Sequence, residues 1–279
     1  MKLDGFEVSK IIKNNLRTEV EILKGQGKRV PCLAVVLVGT DAASQTYVNS
    51  KVKQCERVGF ESQAYLLPED TSLETLLSLI SDLNQDDRVD GILVQLPLPK
   101  HLDEDIVINA LSPDKDVDGL HPENVGLLAL DQARFIPCTP KGIMTLLNEY
   151  NIDLSGKRAL VIGRSRLVGK PVASLLMKEN ATVTIAHSKT TNLESLIAEN
   201  DIIVVAIGKA QFIEASMIHG NHVLIDVGIH RIDGKIVGDV QPEAYEKAAY
   251  ATPVPKGVGP MTIASLLENT MVAYKLKGE

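Results

Sequence analysis

Tyr47 and Lys51 lie four residues apart in SQTYVNSKVKQCERVGF, a segment whose apolar spacing predicts a helix. Both side chains therefore emerge on one face, and a single ligand can touch both. A lysine held neutral can accept a proton, whereas an unperturbed phenol titrates near ~10 and suits packing with a polar tip. Spacing alone equally describes a solvated helix edge with apolar stems. Two further segments add polar groups. GILVQLPLP brings Gln95 to the carboxyl end of an expected strand, where ligands gather in open α/β sheets, and KDVDGL sets Asp116 and Asp118 in a polar turn. Each also has a plain structural use, Gln95 as a strand cap and the aspartates in an Asx turn.

A second constellation follows the expected strand KRALVIG. The chain runs through RSRLVGKP into a helix, so Gly163, Ser165 and Gly169 occupy a strand-to-helix turn. Small residues there let backbone N–H groups and a helix amino terminus face a pyrophosphate. The spacing is a variant of the dinucleotide fingerprint, with Ser165 where a second glycine is usual and one extra residue before Gly169. The next strand ends in AHSKT, where an adenosine ribose would arrive. NAD sites commonly place a carboxylate at that point, but this chain has His187, Ser188, Lys189 and Thr190. With Arg164 in the first turn to pair with a 2′-phosphate, the pattern favours NADP over NAD. His187 is expected to pack or bond locally.

These residues require strands and helices in alternation. Short apolar runs ending in Gly or Pro alternate with segments of helical period, the pattern of βαβ units and a parallel sheet. The first series has strands at 32–38, 63–67 and 91–96, with helices near 5–24, 42–58, 72–84 and 103–111. The second has strands at 158–162, 182–186, 202–206 and 223–227. A Pro-, Asp- and Gly-rich segment, 112–140, separates them, and PKGVGP at 255–260 leads into a last helix.

Composition excludes several classes. A net charge of −7 without a long basic run argues against nucleic-acid binding. No run approaches the ~20 apolar residues of a membrane span, and MKLDGFEVSK lacks a signal-like apolar core, so a cytoplasmic protein is expected. Cys32, Cys55 and Cys138 are odd in number and dispersed, which fits neither a disulfide framework nor a zinc set. No Asp, Glu and His cluster has metal-ligand spacing, so no metal is expected.

TYVNSKVK, VQLPLP, KDVDGL, FIPCTPKG, GRSRLVGKP, HSKT, VGDV and TPVPKGVGPMT occur here in one order. In that order they resemble the bifunctional methylenetetrahydrofolate dehydrogenase/methenyltetrahydrofolate cyclohydrolase family from about residue 44 to the last helix. The resemblance implies two α/β domains: a folate-binding catalytic domain over 1–120, with the C-terminal helix 260–279 packing back on it, and a Rossmann-type NADP-binding domain over 121–259. An active-site cleft is expected between them. It also implies oxidation of 5,10-methylenetetrahydrofolate by NADP, hydrolysis of the product to 10-formyltetrahydrofolate, and a homodimer.

By motif match, Lys51 falls on the family's catalytic lysine, and Tyr47, Gln95 and Asp118 fall on folate-site positions. Val94 and Leu96 flank Gln95 in the same motif, and Pro255, Lys256, Gly257, Val258 and Gly259 form a loop expected to contact substrate. Gly163, Arg164, Ser165, Gly169, Ser188 and Ile229 are the expected cofactor positions. The chemistry bears on Lys51 independently. Loss of hydride leaves a cationic amidinium carbon, which a fixed ammonium would oppose, so Lys51 is expected to be neutral or withdrawn during oxidation, its pKa lowered by burial between the domains. Water attacking that carbon must then lose a proton, which neutral Lys51 can accept. Asp118 offers two acceptor oxygens to the parallel N–H donors of a pterin edge, with Asp116 the rival in the same motif.

One departure concerns the loop, which in the family reads PGGVGP. Lys256 replaces the first glycine, arguing against any need for φ > 0 there and placing an outward amine near the glutamate carboxylates of folate. Three other readings stay open: a single-activity dehydrogenase, a non-catalytic dinucleotide-responsive regulator and a plain α/β binding module.

Overall fold

The computed structural model describes residues 1–278. In chain order its elements are α1 (Gly5–Gly25), β1 (Cys32–Val38), α2 (Ala42–Val58), β2 (Glu61–Leu67), α3 (Leu73–Gln85), β3 (Gly91–Val94), α4 (Glu104–Asn109), α5 (Pro122–Ala129), α6 (Cys138–Glu149) and β4 (Arg158–Ile162). They continue with α7 (Gly169–Lys178), β5 (Thr182–Ala186), α8 (Leu193–Ala198), β6 (Ile202–Val205), β7 (Val223–Asp226), β8 (His230–Ile232), β9 (Lys235–Val237), α9 (Pro242–Lys247), β10 (Tyr250–Ala251) and α10 (Val258–Leu276).

The chain divides into two compact units. One comprises Ile11–Ile136 and the residues from Leu266 onward; the other comprises Met1–Lys10 and Pro137–Ser265. The sequence pattern placed the boundary within 112–140, and the family resemblance ended the first domain at 120. The unit instead extends to Ile136, whose carbonyl is held, with that of Val117, by the buried Asn269 side chain of α10. The first residues join the other unit because Leu3 donates to Ala251 and is fully buried in that unit's core.

The first unit carries a three-stranded parallel sheet in the order β2-β1-β3. Every residue of β1 is buried, as expected of a central parallel strand covered on both faces. Helix α2 is bounded by Asp41, which accepts from the Ser44 N–H at 2.7 Å, and by Gly59, whose φ of 85° ends it in a left-handed cap.

The second unit has a five-stranded parallel sheet ordered β10-β7-β6-β4-β5. Successive residues of β4 point to opposite faces: Ala159 and Val161 enter one apolar core, and Leu160 and Ile162 the other. In both units the first strand lies between the second and the third. Such a reversal leaves a crevice at the carboxyl ends of the first and third strands. It falls beside β1 and β3 in one unit and beside β4 and β6 in the other.

Candidate active site

In the first unit the crevice holds Lys51 and Gln95. Lys51, on α2, is 8% exposed, and its Nζ donates to Gln95 Oε1 at 2.8 Å. Gln95 follows β3 directly, its backbone N–H donating to Val36 and its Nε2 to Leu96 O at 2.7 Å. A carbonyl only accepts, so Leu96 O fixes the amide orientation and leaves Oε1 for the lysine. Gln95 is thus an acceptor toward Lys51. The expected strand to Leu96 ends at Val94, ahead of Pro97, which has no N–H to continue a ladder. Val94 is buried in the core and Leu96 packs against the same cluster.

Tyr47 lies one turn before Lys51 and is 43% exposed. Partial burial pushes its phenol above the ordinary range, which suits contact rather than proton exchange. The two aspartates of KDVDGL separate clearly. Asp116 is fully buried, and its Oδ2 accepts from the His121 N–H at 2.7 Å and from Asn124 Nδ2 at 2.9 Å. Burial raises its pKa against the lowering effect of those donors, with the Asp118 charge adding to the rise. Asp118 is half-buried, and no donor among the described residues engages its carboxylate. Asp116 knots the turn, and Asp118 is what the turn presents.

Sequence reading passed over Asn269, whose Nδ2 donates to Val117 O at 2.8 Å beside Asp118 and to Ile136 O at 2.9 Å. Its signal in the sequence was weak, an amide between Glu268 and Thr270 on a mainly apolar helix.

In the second unit the corresponding crevice is made of backbone. Gly163 follows β4 with φ 128°, and a Cβ on it would lie 2.2 Å from Ala206 O, just after β6. A Cβ on Gly169, the first residue of α7, would lie 2.3 Å from Gly163 O. Side chains at either place would force the turn, the neighbouring strand end and the helix apart. Ser165 Oγ accepts from Val168 N at 3.2 Å and Gly169 N at 3.4 Å, shaping the turn. Arg164, Ser188 and Lys189 are exposed, while His187 is tied locally, its N–H to Thr190 Oγ1 and its Nδ1 to the Lys189 N–H. A cradle that any Cβ would fill, with exposed cationic side chains beside it, fits a phosphorylated dinucleotide.

Ile229, 48% exposed, belongs to the same unit as the 255–259 loop, and a Cβ on Gly259 would lie 3.4 Å from its Cδ1. Two groups of expected site residues thus meet there. Gly257 is buried, and a Cβ on it would lie 2.5 Å from Pro253 O. Val258 is also buried, and Pro255 is exposed.

Lys256 corrects the sequence-based expectation, because its φ is 86° and the left-handed requirement persists without the glycine. The conformation is held by a hydrogen bond from the Phe6 N–H to Lys256 O at 3.0 Å. The side chain does point outward, its Nζ lying 5.9 Å from the Phe6 ring centroid.

Known proteins match along both units. Residues 3–118 match the catalytic domain of tetrahydrofolate dehydrogenase/cyclohydrolase, and residues 137–278 match its NAD(P)-binding domain. The bifunctional protein FolD of Acetivibrio thermocellus is 53% identical over 279 residues, covering 99% of this chain and 98% of its own. The crystal structure of the bifunctional FolD enzyme, methylenetetrahydrofolate dehydrogenase/cyclohydrolase, from Campylobacter jejuni superposes with a TM-score of 0.96 at 48% identity, covering 99% of both chains. The Trypanosoma brucei dehydrogenase-cyclohydrolase, solved with NADP and an inhibitor, gives a TM-score of 0.95 at 37% identity, covering 99% of this chain and 97% of its own. Matched in both units and along nearly its whole length, the chain belongs to the tetrahydrofolate dehydrogenase/cyclohydrolase family.

Proposed function

We propose that this protein oxidises 5,10-methylenetetrahydrofolate to 5,10-methenyltetrahydrofolate with NADP and hydrolyses that product to 10-formyltetrahydrofolate. The observation that carries the reading is the 2.8 Å hydrogen bond from buried Lys51 to Gln95, in a chain of this family. The nicotinamide, when bound, supplies the acceptor for the hydride. Gly163 and Gly169 admit the pyrophosphate by leaving the backbone bare, Arg164 and Ser188 receive the adenosine end, and Ile229 packs beside the 255–259 loop.

On the folate side, Asp118 accepts from the pterin edge and Tyr47 stacks on or orients the substrate. Loss of hydride makes the one-carbon bridge cationic, so a charged ammonium at Lys51 would raise the barrier. Lys51 therefore acts as a neutral amine, or is drawn back, while Gln95 takes one of its N–H groups and limits its swing. Water then adds to the bridge carbon, and its proton passes to Lys51 directly or through a second water. The hydroxyl of the adduct then gives up its proton as the pterin nitrogen takes one from protonated Lys51, and breaking the carbon–nitrogen bond leaves the formyl group on N10. The family likeness supports a homodimer, working in the cytoplasm.

The test mixes methylenetetrahydrofolate with NADP and follows NADPH and methenyl absorbance together. NADPH should accumulate while methenyl absorbance stays low or decays. A methenyl signal that rises with NADPH and persists would make the protein a dehydrogenase alone, and no change at all would overturn the reading.

A further inference from the structure

Asp239 sits at a junction that neither the mechanism nor the fingerprint uses. It is fully buried, and its Oδ2 accepts from the backbone N–H groups of Ile207 at 2.8 Å and Gly208 at 3.0 Å. Its Oδ1 accepts from His230 Nε2 at 2.7 Å. Residues 206–208 leave β6 directly against Gly163, at the reversal crevice. His230 follows Ile229, the exposed residue that lies against Gly259. One carboxylate therefore ties together the turns after β6 and β7, both at the carboxyl end of the sheet where a dinucleotide lies.

The approach is close on every side. A Cβ on Gly228 would lie 2.3 Å from Asp239 N and 2.5 Å from its Oδ1, so the turn carrying Ile229 rests on this carboxylate. Asp239 is in turn fixed by a second buried carboxylate. Its N–H donates to Asp226 Oδ1 at 3.0 Å, and Asp226 also accepts from Gly228 N, Val240 N and the Tyr245 hydroxyl. Of the His230–Asp239 pair, His230 is partly exposed, with 23% of its side chain accessible, while Asp239 has none. Its Nε2 is the side-chain donor to Asp239, the remaining partners being backbone N–H groups.

We infer that His230 and Asp239 are positioning residues for the cofactor, holding Ile229 and the 206–208 turn at the height from which they meet the nicotinamide half of NADP. The inference rests on the proposed use of NADP and adds to it the residues that fix the pocket floor. Neither side chain is assigned a contact with substrate. Removing the His230 donor loosens the turn that carries Ile229, which stays joined to the end of β6 through the Val227 N–H to Val205 O, so NADP should bind more weakly while the folate unit keeps its own geometry.

The experiment uses the full chain and three proteins: wild type, His230→Ala and His230→Gln, whose amide nitrogen can replace Nε2. NADP is titrated by calorimetry without folate, and hydrolysis of methenyltetrahydrofolate, which consumes no dinucleotide, is assayed in parallel. For His230→Ala the NADP dissociation constant should rise about tenfold, with methenyl hydrolysis within about twofold of wild type. His230→Gln should recover most of the affinity. Unchanged NADP affinity in His230→Ala, loss of hydrolysis in step with affinity, or no recovery in His230→Gln would each overturn the inference. Failure of the wild-type protein to bind NADP would instead overturn the functional reading itself.

Discussion

The two units place their crevices by the same topology and fill them by opposite means. In one, the reversal beside β1 and β3 receives side chains, a buried lysine held by a glutamine whose own amide is oriented by a carbonyl. In the other, the reversal beside β4 and β6 is kept free of side chains, with Gly163 and Gly169 closing on Ala206 and on each other. Proton transfer needs a titratable group fixed in one orientation. A pyrophosphate needs backbone donors near enough to touch. The same fold logic therefore gives a site that substitution empties and a site that substitution overfills.

That contrast can be broken at either end. Lys51→Met keeps the stem and removes the amine; methenyl hydrolysis should fall by ~10²–10⁴-fold, with NADP affinity by calorimetry unchanged. Gly169→Ala should act in reverse. Its Cβ would press on Gly163 O, and NADP affinity should drop on the order of 10–100-fold while hydrolysis persists. If each variant damaged both functions equally, the units would not divide the labour as described.

Within the first unit the contrast sharpens between two aspartates. Asp118→Asn should raise the folate KM about tenfold with the melting temperature unchanged, because an acceptor offered to ligand is lost. Asp116→Asn should lower the melting temperature, because the turn loses the carboxylate that its donors share. The smallest effect belongs to the 255–259 loop. Lys256→Gly removes a side chain from a left-handed position and should stabilise the chain by about 1 kcal/mol, a rise in melting temperature of roughly 2–4 °C.

Continuous apolar runs made the buried strands β1, β3, β4, β6 and β7 legible, because a strand covered on two faces has no polar phase to hide it. Lys51, Gln95 and the glycine turn were legible for a related reason, since residue type and strand-end position together define their chemistry. What escaped the sequence was held by distant partners. Asn269 reaches the Asp118 turn from the last helix, and Leu3 adds the first residues to the other unit through Ala251. The left-handed Lys256 escaped because the residue type contradicts the backbone, which the Phe6 contact holds from outside the loop. The short strands β8, β9 and β10 carry too few residues for any period to show.

The account turns on the Lys51 amine as proton acceptor, and chemical rescue tests that most directly. Lys51→Ala leaves space where the side chain stood, and small primary amines supplied in solution can occupy it. Hydrolysis of methenyltetrahydrofolate by this variant should be nearly absent and should return in proportion to the concentration of unprotonated amine. Near-normal hydrolysis by Lys51→Ala with no amine added would contradict the account.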